Sequence, residues 1–183
     1  PHGHIAENIV VLANGNIAVS WSSNQNSEWD VYTRVFTAAG VPVSDESRVS
    51  TAGVTDQYGS VTALANGDYV VVFHGNNDGS NYGIYTQRYN ADGTKDGGLV
   101  LVNEWTYNNQ LYPKAEALAD GGYVIAWQTY GIDGDGTYSI SGQRFNADGN
   151  KVGGEFIVNS DNFLNQEFPS IELRADGALI VTW

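Results

Sequence analysis

"LADGGYVIAW", residues 118–127, reads as an apolar start, a tight Asp-Gly-Gly turn and a β-branched, aromatic strand that closes on Trp127. Asp-Gly and Asn-Gly tolerate the positive φ that short hairpin turns require, so the stretch predicts a β-hairpin. The chain writes it four times, with "LANGNIAVSW" at 12–21, "LANGDYVVVF" at 64–73 and "RADGALIVTW" at 174–183 completing the set. In each copy the turn glycine stands six residues before the closing aromatic, and Gly15, Gly67, Gly121 and Gly177 are separated by 52, 54 and 56 residues. A fixed period of that length marks a repeat architecture.

Working outward, a second hairpin follows each of the first three copies: "VFTAAGVPV" (35–43), "RYNADGTKDGG" (88–98) and "RFNADGNKVGG" (144–154). Then come Val49-Ser50, Val102-Asn103 and Val158-Asn159, and eight residues after each valine a glutamine: Gln57, Gln110 and Gln166. Only the loop after Trp21, Phe73 and Trp127 breaks register. No stretch carries a helical period, so each unit predicts four short antiparallel strands. That content at about 54 residues per repeat is what a β-propeller blade needs. The expected fold is all-β, a propeller-like repeat of four-stranded antiparallel blades, about three and a half repeats within one domain spanning 1–183. The expected divisions are a half-unit at 5–21 and units at 22–73, 74–127 and 128–183. Seven hairpins make three and a half blades, so the ring is expected to close through further sequence or through a homodimer completing seven blades. The start at Pro1 and the stop at Trp183 in mid-pattern suggest a piece of a larger chain or assembly. Trp21, Phe73, Trp127 and Trp183 recur in register and are expected in the core. The three glutamines, with Asn103 and Asn159, are expected to bond backbone at hairpin corners. Arg88 and Arg144 are expected to cross a blade face to a carboxylate.

The net charge of −13, from 21 acidic and 8 basic residues, opposes nucleic-acid binding and adsorption to anionic lipid. No apolar run approaches the roughly 20 residues of a membrane-spanning helix, so no membrane insertion is expected. Cys 0 excludes disulfides, zinc–thiolate sites and thiol catalysis.

Residues 110–160 resemble tandem repeats of very large secreted bacterial proteins, those of the RTX (hemolysin-type calcium-binding) and giant-adhesin kind. The matching elements are Q-x-x-P (Gln110, Pro113), the L-x-D-G-G hairpin (Asp120, Gly121, Trp127), the D-G-x-G loop (Asp133, Gly134), Q-R-F-N-A-x-G (Gln143, Arg144, Phe145, Gly149) and G-x-E-F-x-V-N (Phe156, Asn159). The match weakens toward the N-terminus, where Glu7 stands at the Pro position and Arg34 at that of Gln143. No G-G-x-G-x-D nonapeptide is present. The resemblance implies a secreted or cell-surface bacterial protein built of β repeats, with no catalytic residues to carry over.

Function is sought in the loops that refuse to repeat: "SSNQNSEWD", "HGNNDGSN" and "QTYGIDGDGTY". Variable loops at one equivalent position of a repeat fold line one face, where binding usually sits. Asp133 and Asp135 lie two apart between glycines and, with Asp78, are candidate ligands for calcium. The bland counterpart is an Asp-Gly turn with solvated carboxylates. Trp29 and Trp105 lie off the repeated strand positions and, with Tyr107 and Tyr130, are candidate stacking rings for a glycan. Asp30, His74 and Asn77 are candidate polar partners. The expected function is a non-enzymatic extracellular binding or adhesion module contacting a glycan or cell-surface polysaccharide. One alternative is a polysaccharide-degrading propeller enzyme, lyase or hydrolase, with His74 in the site. The other is a structural spacer.

Overall fold

The computed structural model describes residues 3–25, 27–50, 55–76, 78–161 and 163–183, without the side chains of Ala6 and Glu7. Among the described residues fourteen strands form three successive four-stranded antiparallel sheets and one strand pair. Blade 1 holds β1 (His4–Val11), β2 (Ile17–Ser23), β3 (Asp30–Phe36) and β4 (Ser47–Arg48). Blade 2 holds β5 (Asp56–Ala63), β6 (Tyr69–Gly75), β7 (Gly83–Tyr89) and β8 (Lys95–Leu101). Blade 3 holds β9 (Gln110–Ala117), β10 (Tyr123–Tyr130), β11 (Tyr138–Phe145) and β12 (Lys151–Ile157). The pair is β13 (Ser170–Leu173) with β14 (Leu179–Thr182). Each sheet runs in chain order. The first strands β1, β5, β9 and β13 lie side by side and line an axial channel of about 560 Å³. No helix among the described residues is long and apolar enough to cross a membrane.

The turns explain the repeated sequence. In "LADGGYVIAW" the Leu118 N–H donates to the Gly122 carbonyl (2.8 Å), and the Gly121 N–H donates back to the Leu118 carbonyl (3.1 Å). The Asp120 carboxylate accepts the Gly122 N–H at 3.0 Å, and Gly121 takes φ 86°. A three-residue hairpin loop with a left-handed closing position favours glycine there, because any Cβ crowds its own carbonyl.

The core lies between blades. On β6, Tyr69, Val71 and Phe73 join a cluster with Val31, Val35, Tyr85 and Tyr89 against blade 1. Val70 and Val72 join Ile84, Tyr123, Ile125, Trp127 and Phe145 against blade 3. Side chains alternate across a strand, so a blade with neighbours on both faces must be apolar throughout, as "YVVVFHG" shows. Stacked rings reinforce the seams, with Tyr69 on Tyr89 at 5.0 Å and Tyr123 on Phe145 at 4.8 Å between centroids. Each fully buried large side chain contributes roughly 1.5–3 kcal/mol.

Several expectations need correction. The sheets pair each "L-x-[ND]-G" hairpin with the hairpin after it, so the divisions fall at 4–48, 56–101 and 110–157, and the half-unit is the last one, 170–182. That half is an inner pair, since β13 lies beside β9. Phe73 and Trp127 are buried, but Trp183 is 54% exposed. It follows the last paired residue of β14, and among the described residues no third strand pairs with β14 to enclose the ring. Trp21 is only half-buried, stacking on Tyr32 at 5.9 Å, because its face of blade 1 has no neighbouring blade among the described residues.

Gln110 and Gln166 behave as corner residues. Gln110 donates to the Tyr107 carbonyl (3.1 Å) and accepts from Asn103 Nδ2 (3.3 Å), while Asn103 Oδ1 accepts the Ile84 N–H (2.7 Å). Gln166 and Asn159 repeat the arrangement on Phe163 and Ile140. Gln57 does not. The N–H groups of Asp56, Gln110 and Gln166 donate to the carbonyls of Trp29, Tyr82 and Tyr138, so Asp56 is the true equivalent. Arg88 meets Asp96 at 3.2 Å, and Arg144 pairs with Asp120.

Candidate functional site

The strand order puts the β2–β3, β6–β7 and β10–β11 loops at the same end of the blades as the starts of the inner strands. The turn hairpins lie at the other end. The nine described candidates named from sequence belong to the loop end, where the axial channel has its mouth. Their surroundings differ from what the sequence suggests.

Asp30 is fully buried at the start of β3. Its Oδ1 takes a 2.5 Å ion pair from Arg48 and a 3.2 Å hydrogen bond from the Ser50 hydroxyl, so it is the counter-ion of Arg48 and not a free ligand. Asp56 adjoins this cluster. Burial, with Asp30 and Glu28 adding to it, pushes its carboxyl up to about 7 against the opposing Ser50 hydrogen bond and Arg48. Trp29 is not off the repeat, because its carbonyl does for Asp56 what Tyr82 and Tyr138 do for Gln110 and Gln166. Asn77 lies outside the described residues.

Asp78 and Asp133 occupy like places and serve their own loops. Asp78 Oδ1 accepts the N–H groups of Ser80 (3.0 Å) and Asn81 (3.2 Å). Asp133 accepts the Ser139 hydroxyl at 2.7 Å, and Asp135 accepts both the N–H and the hydroxyl of Thr137. Those bonds hold the Asp135 carboxyl below its usual range. Among the described residues no group of three or more His, Asp or Glu comes together as a metal centre. Trp105 and Tyr107 form an exposed T-shaped pair at 6.4 Å, and Tyr130 meets Tyr138 edge-on at 5.1 Å.

His74 is buried at 4% exposure, against the expectation that it faces the variable loops. Even-numbered residues of β6 point toward blade 3, and the imidazole follows Val70 and Val72 into that seam. Its Nδ1 accepts the Tyr112 backbone N–H at 3.3 Å, and its ring stacks on Tyr58 (5.3 Å) and meets Tyr82 (5.3 Å) and Tyr112 (5.6 Å) edge-on. Burial pushes the imidazole down to about 4, so it is neutral.

Around it stand the residues that sequence reasoning missed. Tyr58, Tyr112 and Phe168 sit at the head of successive inner segments with φ of 55°, 53° and 56°. Tyr58 and Tyr112 fall where the β5–β6 and β9–β10 registers slip, so they are β-bulge residues, each followed by Gly59 or Pro113, and Pro169 follows Phe168. Proline suits a bulge, because it has no N–H to lose from the ladder. Left-handed backbone costs a bulky residue of order 1–3 kcal/mol and collects at functional sites. The three rings touch in series, Tyr58 to Tyr112 at 5.0 Å and Tyr112 to Phe168 at 4.8 Å. With Ile5, Pro113, Lys114 and Pro169 they wall a mainly apolar cavity of about 360 Å³ at the channel mouth. The available signal was the aromatic inside Q-x-x-P, present in "QLYP" and "QEFP" and hidden in "QYG" by the one-residue offset of Gln57. Deeper in the channel Glu116 accepts the Leu173 N–H at 3.4 Å, and burial, with nearby Glu172, raises its carboxyl.

No family model and no curated protein matches the sequence. Solved structures do share the fold. An endo-arabinase from Bacteroides thetaiotaomicron superposes with TM-score 0.63 at 18% identity, over 94% of this chain and 67% of that one. A thermostable family-43 glycoside hydrolase gives TM-score 0.60 at 13% identity, over 94% and 62%. An α-L-arabinofuranosidase from Lactobacillus brevis gives 0.58 at 10%, over 97% and 64%. The chain thus spans about two thirds of the length of these structures. The likeness establishes the propeller fold of four-stranded blades. It also overturns the expectation of a non-enzymatic adhesion module as the leading reading, since these neighbours are named as glycan-degrading enzymes.

Proposed function

We propose that this chain belongs to a polysaccharide-degrading propeller and that the glycan docks at the channel mouth, on the wall formed by Tyr58, Tyr112 and Phe168. The observation that carries the proposal is that wall: three aromatics held in left-handed backbone at equivalent places around one axial cavity. Flat rings pack on the apolar face of a sugar, and a cavity of this size suits a sugar residue. The names of the structural neighbours support arabinose-containing glycans as the first class to try.

Glycoside hydrolysis uses a protonated carboxyl to assist the leaving group. Glu116 lines the channel with a raised carboxyl, which is the property such a donor needs. His74 backs the aromatic wall as a neutral ring and is not the reacting base.

The test is release of reducing ends from arabinan and arabino-oligosaccharides by the wild-type chain, Y112A and E116Q. The expected pattern is a KM effect for Y112A and a kcat loss of about 10²-fold or more for E116Q, the size of a lost general acid. Absence of both binding and release over a panel of neutral and anionic polysaccharides overturns the proposal.

A further inference from the structure

The mouth aromatics are strained, and something must hold them in place. The Tyr112 N–H donates to His74 Nδ1 at 3.3 Å, and the Phe168 N–H donates to Gln128 Oε1 at 3.0 Å. His74 and Gln128 occupy the same place in successive blades. They pair with Gln57 and Ile84 in blade 2 and with Leu111 and Ile140 in blade 3. We infer that His74 and Gln128 are positioning residues, each reaching from the second strand of one blade to fix the left-handed aromatic of the next and so aim Tyr112 and Phe168 at the channel mouth. This inference rests on the glycan-site reading of the mouth.

Both acceptors are buried, at 4% and 2% exposure, so water does not compete for the amide they hold. A bulge amide has no ladder partner, and a buried one left without an acceptor is unfavourable. The chain meets that need with two chemically unrelated groups, an imidazole nitrogen and a carboxamide oxygen. What they share is a lone pair at one point in space. The surroundings keep the imidazole in its accepting form: Tyr58, Tyr82 and Tyr112 face it, and burial disfavours the imidazolium, which has no lone pair to offer. His74 further serves as a floor under Tyr58, so one side chain braces the aromatics of two blades.

The experiment compares H74A, H74Q, Q128A and Q128H in the full chain by amide hydrogen exchange and by binding of arabino-oligosaccharides. H74A is expected to speed exchange of the Tyr112 amide by about tenfold or more and to weaken binding by a similar factor through KM or Kd. H74Q is expected to restore both, because glutamine does this work at position 128. Q128A is expected to expose the Phe168 amide, and Q128H to protect it. A protected Tyr112 amide in H74A, or an H74Q variant that behaves like H74A, overturns the inference. If the wild-type chain binds no glycan, the mouth reading fails, and the exchange result still decides the positioning role.

Discussion

The two ends of a blade solve one backbone problem in opposite ways. At the hairpin end, positive φ falls on Gly15, Gly67, Gly121 and Gly177, which adopt it without strain. At the mouth end it falls on Tyr58, Tyr112 and Phe168, which do not. The hairpin end is written locally, with Asx side chains capping the turn amides and Leu12, Leu64, Leu118 or Arg174 closing the loop. At the mouth, contacts from the neighbouring blade impose the conformation, through His74 on Tyr112 and Gln128 on Phe168. Ser27, Asn108 and Leu164 take positive φ in loops at the same end, but Tyr58, Tyr112 and Phe168 are the aromatics that do so around one cavity, and that is the physical case for function there.

The largest effect that sharpens this contrast concerns charge buried at the mouth end. Asp56 stands where Gln110 and Gln166 stand, and its raised carboxyl gives a defined sign. Below the unfolded value near 3.8 it is protonated in both states. Between there and about 7 the folded chain keeps a proton that the unfolded chain loses, so stability falls as pH rises. His74 works the other way: its folded value near 4 lies below 6.5, so stability falls as pH drops through that window. The two slopes oppose each other between about pH 4 and 6.5, and wild-type stability is expected to be nearly flat there. D56N is expected to gain a few kcal/mol at pH 8 and to uncover the rising slope due to His74. H74Q is expected to uncover the falling slope due to Asp56. Urea titrations from pH 4 to 8 check both, and a D56N curve parallel to wild type breaks the assignment.

At the hairpin end, G121A is expected to lose about 1–2 kcal/mol, because its φ of 86° is left-handed and a Cβ there lies 3.3 Å from Ala147 Cβ. Chemical denaturation measures this, and an unchanged midpoint would mean that the turn is free to reshape. Back at the mouth, Y58A and F168A are expected to weaken oligosaccharide affinity by roughly tenfold each by calorimetry, about 1.4 kcal/mol of binding. Equal loss of folding stability in these variants would instead make the wall a packing feature.

The smallest expected effect is the most discriminating. Y112G relieves left-handed strain while giving up ring contacts with Tyr58, His74 and Phe168, terms of similar size. Its stability is expected to stay within about 1 kcal/mol of wild type, although glycan binding is lost. A Y112G chain less stable than G121A would show that the mouth backbone is not strained.

Much of the scaffold was legible because it is local and repeated. Asn-Gly and Asp-Gly turns, alternating strands and a period of 52 to 56 residues predict four-stranded units, and the buried face of Phe73 and Trp127 follows from register. The phase of the sheets was not legible. A tandem repeat can be cut at either hairpin, and only hydrogen bonding between hairpins chooses. Counting from valine also misassigned Gln57, because the contact that defines the corner, Asp56 N–H to the Trp29 carbonyl, joins segments far apart in sequence.

By itself, then, the sequence determined the hairpins, the four-stranded unit and the end of the blades where variation collects, since each depends on residues within a few positions of one another. Only the tertiary structure decided which side chains that end presents. It turned Asp30 inward onto Arg48, sank His74 beneath three tyrosines and brought Tyr58, Tyr112 and Phe168 into contact. Those outcomes depend on which blade lies against which, and a left-handed tyrosine is held by an acceptor that another blade supplies.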